Sequence, residues 1–407
     1  MKMQRKRYDS VQNMVVCLER LKMGRMSASK LKKIDSNRRI CELNVSRLMN
    51  LRQAQDGCVT YLDLDGYNGR YLLSACHSGS IYIHDLANDT GNLRFESQVI
   101  AECSPGHAEY SSARLETAQW YPLDPGLFTT SGGNSRLRIW DANQMTVVET
   151  VDVKETINRH HMSPVPSEAS CLIAVATVSE FVYLVDIRTG NSVRELRGHE
   201  LAVNACAFSP IDGDLLVTGD LEGRLLLWDV RMSRGHLLEM PREKPPKKDF
   251  VKSVCFSGDG QSVIFVSKSS KIRLWKLFGC KKHGGKVSEF SGQARGKTIR
   301  IQMDVSGDFD FIFIPDNRSV AIYSLKTLKL VNSLDVHYGL VNCCRFNKFT
   351  PELYSAGMDQ NIVPYRAEGE ISRGFTVDLE RDGDVVEERV VKNKFVHDSL
   401  WNDSDSD

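Results

Sequence analysis

Two short segments of the 407-residue sequence contain residue types that could support metal or phosphate chemistry. His160 and His161 could supply two imidazole ligands, but neighbours on a β-strand point to opposite faces, and no third ligand follows at a suitable spacing. Ser291–Thr298 resembles a phosphate-binding loop, yet a serine replaces its first glycine and an alternating strand follows it. Without a helix N-terminus such a loop loses the amides that bind phosphate. We therefore predict no catalytic residue, no metal site and no cofactor.

A repeated unit of short apolar strands spans most of the chain. Its copies end at or near a Trp-Asp pair, most clearly at Trp140-Asp141 and Trp228-Asp229. Seven anchor positions, at residues 84, 140, 185, 228, 275, 323 and 365, lie 42 to 56 residues apart. This period is similar to that of WD40 repeats, each of which forms a four-stranded blade. The sequence therefore predicts an all-β fold, a single seven-bladed WD40 β-propeller.

Polar residues at fixed distances from the anchors support this assignment. In WD40 blades a tryptophan, a hydroxyl, a histidine and an acid form a buried chain of hydrogen bonds, because each buried polar atom needs a partner. The spacing predicts two such chains, one of His199, Thr218, Glu222 and Trp228, the other of His337, Ser355, Asp359 and Tyr365. In three blades the hydroxyl position holds Val175, Phe265 or Phe313, and we expect apolar packing there.

The repeats divide the chain into a basic helical arm over residues 1–37, the propeller over 38–366 and an acidic, mostly disordered tail over 367–407. Blade 7 supplies only three strands of its own, and an unpaired sheet edge would remain unless a fourth strand joins it. We predict that residues 39–46, which alternate in polarity, provide that strand. Residues 375–379 are the competing segment.

The arm contains a predicted amphipathic helix. Its apolar residues recur at helical spacing, at Val11, Met14, Val15, Leu18 and Leu21. This stripe could pack on the propeller or insert into a partner. We favour a partner, since a propeller rarely leaves a groove open for an additional helix.

Composition limits the partners and the compartment. Although the net charge is only +1, the N-terminal end of the chain is basic and the C-terminal end is acidic. Residues 1–40 hold 12 Lys or Arg and 3 Asp or Glu, whereas residues 366–407 hold 6 Lys or Arg and 12 Asp or Glu. The 11 cysteines are scattered without a C-x-x-C pair, which favours a reducing compartment. No apolar run approaches the length that spans a bilayer, so we predict no membrane partner.

The fourth blade carries a more specific signal. The run Leu216–Arg231 ends Trp-Asp-Val-Arg, and Ile173–Arg188 in the third blade ends Val-Asp-Ile-Arg. An arginine two residues past the aspartate lies beyond the strand, at one end of the propeller. Its planar guanidinium can donate several directed hydrogen bonds to a docked partner. The run resembles the DWD box of WD40 substrate receptors of cullin-4 ubiquitin ligases. Four further segments are similar to a family member that acts in transcription-coupled nucleotide excision repair: 116–122, 160–165, 337–338 with 341–344, and 352–355.

The resemblance implies a non-catalytic substrate-recognition subunit in the nucleus. Its partners would be the damaged-DNA-binding protein 1 adaptor and repair factors associated with stalled RNA polymerase II. By resemblance the adaptor would contact Arg231, Asp229 and Trp228 of the box, Arg188, and the helix with Val11, Met14, Val15, Leu18 and Leu21. The substrate would be contacted near residues 160–163 and in the connection 88–113.

Two other functions are compatible with the sequence. A generic WD40 scaffold in a nuclear complex would bind peptides on the opposite face. Direct DNA binding would use the basic arm with Lys244, Lys247 and Lys248, but these cations are dispersed and lack interleaved aromatic residues, so we consider direct DNA binding unlikely.

Overall fold

The computed structural model describes residues 14, 16–46, 49–51, 56–87, 95–97, 99–103, 114–165, 171–232, 235–241, 249–277, 285–307, 310–367, 375–376 and 391–392. Several predicted features lie outside these residues: Val11, Val15, Lys244, Lys247, Lys248 and most of the connection 88–113 and of the tail 367–407.

The described chain begins with helical structure. Residues 16–22 form a short helical segment, and helix α1 (Ala28–Cys41) follows. Ser27 begins α1 as its N-cap, because its hydroxyl accepts a hydrogen bond from the Lys30 N–H group at 3.3 Å. Strands β1 (Leu43–Val45) and β2 (Met49–Leu51) come next, and β2 pairs in parallel with β6 (Phe95–Ser97).

Seven four-stranded antiparallel sheets form the blades of a propeller, as predicted. Blade 1 contains β3 (Val59–Leu64), β4 (Tyr71–Cys76), β5 (Ile81–Asp85) and β7 (Val99–Cys103). Blade 2 contains β8 (Leu115–Trp120), β9 (Leu127–Gly132), β10 (Arg136–Asp141) and β11 (Thr146–Asp152). Blade 3 contains β12 (Ile157–Met162), β13 (Leu172–Thr177), β14 (Phe181–Asp186) and β15 (Asn191–Arg197).

The later blades follow the same order from inner to outer strand. Blade 4 contains β16 (Val203–Phe208), β17 (Leu215–Asp220), β18 (Leu225–Asp229) and β19 (Leu238–Glu239). Blade 5 contains β20 (Val251–Phe256), β21 (Ser262–Ser267), β22 (Lys271–Lys276) and β23 (Val287–Gln293). Blade 6 contains β24 (Asp304–Val305), β25 (Phe311–Asp316), β26 (Ser319–Ser324) and β27 (Leu330–Asp335). Blade 7 contains β28 (Val341–Asn347), β29 (Glu352–Gly357), β30 (Ile362–Ala367) and β1.

The N-terminal strand β1 closes the ring. It pairs antiparallel with β30, with Leu43 opposite Ala367 and Val45 opposite Tyr365. The strand lies within the predicted segment 39–46, but the prediction is wrong for residues 39–41, which end helix α1. The competing segment does not join blade 7 in the described residues, where β31 (Phe375–Thr376) pairs with β32 (Val391–Lys392).

Apolar packing between neighbouring blades forms the core. Val175, Phe265 and Phe313 are fully buried, which confirms that apolar side chains replace the hydroxyl in blades 3, 5 and 6. Aromatic residues fill the larger spaces: Phe128 stacks on Trp140 with ring centroids 5.7 Å apart. Burial of this kind stabilises the fold by roughly 25 cal/mol per Å² of apolar surface.

The antiparallel blades give the ring two distinct ends. The Arg231 end carries the turns between first and second strands and between third and fourth strands, including those at Asp214 and Arg231. The His199 end carries the turns between second and third strands and the linkers between blades, including those at His199 and His337. Every surface described below belongs to one of these two ends.

Candidate partner-docking site

The buried chain of blade 4 fixes the strand that leads to Arg231. The Trp228 indole N–H donates to the Thr218 hydroxyl at 2.8 Å. His199 lies between that hydroxyl, 2.6 Å from its Nε2, and the Asp220 carboxylate, 2.9 Å from its Nδ1. All four side chains are buried, so each polar atom of the chain has its partner inside the protein.

The prediction that Glu222 is the acidic residue of this hydrogen-bond chain is wrong, because Asp220 contacts His199 instead. Asp220 ends β17, and its second oxygen accepts hydrogen bonds from the backbone N–H groups of Glu222 and Arg224 at 2.9 Å each. The turn therefore folds around Asp220, and Glu222 contributes its backbone. In the sequence both acids lie near the required distance from Thr218, and only the turn geometry distinguishes them.

In blade 7 the structure brings the four predicted residues together. His337 Nδ1 lies 2.7 Å from Asp359, and His337 Nε2 lies 2.6 Å from Ser355. The hydroxyl of Ser355 is 3.1 Å from that of Tyr365. Burial opposes ionisation of Asp359, but the hydrogen bonds from His337 and from nearby backbone amides hold the pKa of its carboxyl below the ordinary value.

Arg231 is presented at the surface in a fixed orientation. Its Nε and Nη2 donate to the two oxygens of Asp229 at 3.0 and 2.8 Å, and its Nη1 lies 3.4 Å from Asp214. These hydrogen bonds lower the pKa of Asp229, while 64% of the Arg231 side chain remains exposed. A partner would therefore meet an arginine that has already lost much of its rotational freedom.

Trp228 is wrongly assigned to the docking surface. Only 1% of the residue is exposed, and its ring packs inside the core cluster of blades 3 and 4 with Leu226 and Val230. Its role is to anchor β18, whose last residue Asp229 then orients Arg231. Any contact with a partner falls to Arg231 and to the partly exposed Asp229.

Arg188 occupies the equivalent position in blade 3. It follows β14, and its backbone N–H group donates to Asp186 at 3.0 Å, as that of Arg231 does to Asp229. The residue is exposed at the Arg231 end. Burial raises the pKa of the Cys171 thiol to about 11, and the nearby Arg188 guanidinium partly opposes that rise.

The helical arm reaches the same end of the ring. Asn37 of α1 donates to Asp310 at 2.9 Å, and Lys33 lies 3.4 Å from that carboxylate. Asp310 precedes β25 in the first turn of blade 6, so α1 rests at the Arg231 end. Ile40 is buried among residues of blades 6 and 7, and the predicted boundary after residue 37 therefore falls inside a helix that belongs partly to the propeller.

The helical segment 16–22 keeps part of its apolar side exposed. Leu18 is 43% exposed, whereas Met14 and Leu21 are half-buried. Val11 and Val15 of the predicted stripe lie outside the described residues. The exposure of Leu18 shows that the propeller does not cover this part of the stripe.

A set of apolar turn residues at the Arg231 end was missed by the sequence reasoning. Five of the turns between first and second strands each expose one large apolar side chain: Tyr67, Leu123, Val165, Ile211 and Phe349. They come from blades 1, 2, 3, 4 and 7. Grouped exposed apolar side chains are typical of interaction surfaces, and the His199 end also exposes large apolar side chains, including Val178, Tyr338 and Met358. The only sequence signal was a large apolar residue shortly after each inner strand.

His160 lies in the core, whereas the half-buried His161 lines the space at the Arg231 end of the central channel. His160 contacts Ser131 of blade 2 at 2.5 Å, while His161 accepts from the Phe208 N–H group of blade 4 at 3.2 Å. The two rings thus diverge, as expected for adjacent strand residues. Burial lowers the pKa of each ring to about 3. The expectation of substrate contacts near residues 160–163 is wrong for His160 and Ser163, which are buried.

Polar side chains cross the central channel. Arg159 of blade 3 donates to the Ile301 carbonyl of blade 6 at 2.7 Å, across the ring. Arg345 of blade 7 lies 3.0 Å from Asp63 and 3.3 Å from Asp304. The Arg159 contact spans the ring, whereas Arg345 joins blade 7 to its neighbours, blades 1 and 6. About 150 Å³ of space remains at the Arg231 end.

Within the described ranges no group of three or more His, Cys, Asp or Glu side chains is arranged to hold a metal ion. Among the same residues, no helix combines the length and apolarity needed to cross a membrane.

Comparison with known proteins agrees with the fold. The family model described as WD domain, G-beta repeat matches residues 190–229, 243–276 and 328–363. The chain is 24% identical to WD repeat-containing protein ATCSA-1 of Arabidopsis thaliana, over 90% of this chain and 96% of that protein. It is 26% identical to Radiation-sensitive protein 28 of Saccharomyces cerevisiae, over 66% of this chain and 59% of that protein. Histone acetyltransferase type B subunit 2 of Candida glabrata is 25% identical over 40% of this chain and 37% of its own length.

Proposed function

Because this chain is a seven-bladed WD40 propeller similar to the Cockayne syndrome group A proteins, we propose that it is the substrate-recognition subunit of a cullin-4 RING ubiquitin ligase. In this role it acts in the nucleus, in transcription-coupled nucleotide excision repair. It binds the damaged-DNA-binding protein 1 adaptor on one side and repair factors associated with stalled RNA polymerase II on the other. A WD40 propeller is typically a non-catalytic scaffold, which fits this role.

The observation that carries the proposal is the presentation of Arg231. Its guanidinium is fixed by Asp229 and Asp214 and remains largely exposed. An isolated surface arginine would lose side-chain entropy on binding, but this one is ordered before a partner arrives. Hot spots of protein interfaces are enriched in such arginines.

The surroundings of Arg231 support an extended interface. Helix α1, Arg188 and the five apolar turn residues all lie at the same end of the ring. The exposed Leu18 side chain in the preceding helical segment could enter an apolar groove of the adaptor, with basic residues of the arm around it. Together these features combine an apolar centre with charged anchors, as stable interfaces do.

The relatives are consistent with a repair role. The name of Radiation-sensitive protein 28 refers to radiation sensitivity, and the similarity to ATCSA-1 extends over 90% of this chain. The shorter match to a histone acetyltransferase subunit supports the alternative, a generic peptide-binding scaffold in a nuclear complex. The two functions differ in whether the adaptor is a stoichiometric partner.

Affinity purification with mass spectrometry tests the proposal. The tagged full-length chain is recovered from cells before and after a block of transcription. We expect the adaptor and cullin-4 in both samples, and polymerase-associated repair factors enriched after the block. Recovery of chromatin-assembly or acetyltransferase subunits without the adaptor would overturn the ligase role and favour the generic scaffold.

A further inference from the structure

A second charged surface lies at the opposite end of the ring from Arg231. We name it the blade 6 pocket and define it by Arg295, Lys297, Asp316, Arg318, Ser333 and Asp335. The pocket has a volume of about 620 Å³ and opens to solvent. Arg318 belongs to the turn between β25 and β26, which places the pocket at the His199 end. An adaptor docked at the Arg231 end would leave it accessible.

The segment with Arg295 and Lys297 is held from both sides. The ammonium group of the buried Lys252 donates to the Gly296 carbonyl at 2.5 Å. On the other side the Asp316 carboxylate lies near the backbone N–H groups of Arg295 and Gly296, which favour its charged form although burial raises the pKa of this carboxyl. The two cations therefore project from a backbone that is fixed before any ligand binds.

The turn with Arg318 is fixed in a similar way. The Asn317 carbonyl accepts from the Val341 N–H group at 2.6 Å, and the Arg318 carbonyl accepts from the His337 N–H group at 3.3 Å. Asn317 adopts a positive φ of 52°, a conformation that asparagine tolerates well. These hydrogen bonds connect the turn to blade 7, where His337 belongs to the buried chain described above.

The charges of the pocket match a dianion. Asp316 also lines the pocket, and its carboxylate interacts with Arg295 and, less strongly, with the buried Lys252 behind it. With Lys252 included, four cations (Arg295, Lys297, Arg318 and Lys252) face the two carboxylates of Asp316 and Asp335, which leaves two positive charges in excess. A phosphoryl group carries about −1.5 to −2 at neutral pH, whereas a carboxylate carries only one charge. Arginine side chains are suitable donors to phosphate oxygens, whereas the Ser319 hydroxyl already donates to the Asp316 carbonyl at 3.0 Å.

The rim of the pocket offers a contact for a peptide. Tyr338 lies two residues before Leu340, which lines the pocket, and it is 85% exposed. Its backbone N–H group donates to Asp359 at 3.2 Å, which fixes the position of the main chain beneath the ring. An exposed tyrosine at the edge of a basic pocket can pack on the residues that flank a phosphorylated side chain.

We propose that the blade 6 pocket binds a phosphorylated serine or threonine in a peptide of the ubiquitylation substrate. The assignment of that peptide to a substrate rests on the proposed ligase function. The pocket itself does not depend on it. Phosphorylation of the partner would then decide when it is recruited to the propeller.

A binding assay with three matched peptide pools tests this inference. The fluorescein-labelled pools share random flanking residues around a fixed phosphoserine, serine or glutamate, and anisotropy is measured with the full-length chain. We expect the phosphoserine pool to bind at least ten-fold more tightly than either other pool. Equal binding of the phosphoserine and serine pools, or no binding up to millimolar protein, would overturn the proposal. Equal binding of the glutamate pool would reject phosphate in favour of a general acidic ligand.

Variants locate the site. The double substitution Lys297→Ala with Arg318→Ala should weaken binding of the phosphoserine pool at least ten-fold. Lys268→Ala is the matched control, because Lys268 is an exposed cation in the equivalent turn of blade 5, and it should change binding by less than two-fold. Unchanged thermal unfolding of each variant confirms its fold. Loss of binding in the control alone would contradict the assignment.

Adaptor binding separates this inference from the proposed function. The double variant should retain the adaptor, since its substitutions lie at the other end of the ring. If the wild-type chain binds the phosphoserine pool but never the adaptor, the ligase role fails while the pocket stands. If it binds the adaptor but not the pool, the pocket fails while the ligase role stands.

Discussion

Asn37 of helix α1 donates a hydrogen bond of 2.9 Å to Asp310 of blade 6, and this contact places the helical arm at the same end of the ring as Arg231. The carboxylate also lies 2.9 Å from Lys326 and 3.4 Å from Lys33. One acidic side chain thus joins the arm to the propeller. The arm and the arginine can therefore act on one partner surface.

Removal of this acid should loosen the arm. In Asp310→Ala, α1 loses its hydrogen bond and its ion pair with the ring, and we expect a loss of about 1 to 2 kcal/mol of local stability. Hydrogen exchange of the backbone amides of residues 28–41 measures the change, which should be a faster exchange of roughly five- to thirty-fold. Glu180→Ala, at an exposed position of the His199 end, is the control and should leave this exchange unaltered. Equal protection of α1 in Asp310→Ala would show that other contacts hold the helix.

A pair of substitutions can identify the acidic residue of the buried hydrogen-bond chain in blade 4. Asp220 is fully buried against His199, so Asp220→Ala should lower the free energy of unfolding by about 2 to 4 kcal/mol. Glu222→Ala should change it by less than about 0.5 kcal/mol, because the Glu222 side chain is partly exposed and does not contact His199. Urea unfolding followed by tryptophan fluorescence compares the two. A larger effect at Glu222 than at Asp220 would contradict the structure.

Buried histidines should make the propeller sensitive to mild acid. Burial lowers the pKa of His161 to about 3, below its value of about 6.5 in an unfolded chain. Between these values the unfolded chain binds a proton that the folded chain does not, so stability falls as the pH falls below about 6.5. Each such histidine contributes a slope of about 1.4 kcal/mol per pH unit.

The contribution of His161 is measured by substitution. In His161→Gln the dependence of the unfolding free energy on pH, between pH 6 and 4.5, should become shallower by about 1.4 kcal/mol per unit. His77→Gln, at an exposed histidine, serves as the control and should keep the wild-type slope. A wild-type slope in His161→Gln would mean that His161 accepts its proton in the folded state.

The sequence was sufficient for the architecture because the architecture repeats. The Trp-Asp anchors, their spacing and the hydroxyl ten residues before Trp228 recur in several copies, so each copy supports the others. The closing strand followed from the need to pair the edge of β30. Its start could not be placed, since Arg39 fits an alternating strand as well as the last turn of α1.

The sequence was less informative wherever a single turn decides the outcome. Asp220 and Glu222 have the same chemistry two residues apart, and only the hydrogen bonds of the turn favour Asp220. The exposed residues Ile211 and Phe349 have no periodic pattern, because each lies alone in its turn. Nor could a sequence motif reveal the blade 6 pocket, whose three lining cations come from two separate segments.

The affinity of the purified adaptor for Arg231→Ala tests the central claim most directly. Interferometry or calorimetry compares this variant with the wild type and with Arg197→Ala, an exposed and ion-paired arginine at the His199 end. An arginine central to an interface contributes about 2 kcal/mol, which is roughly a thirty-fold change in Kd. We expect that loss for Arg231→Ala and less than a two-fold change for Arg197→Ala. Wild-type affinity of Arg231→Ala would contradict the assignment of the Arg231 end as the adaptor-binding surface.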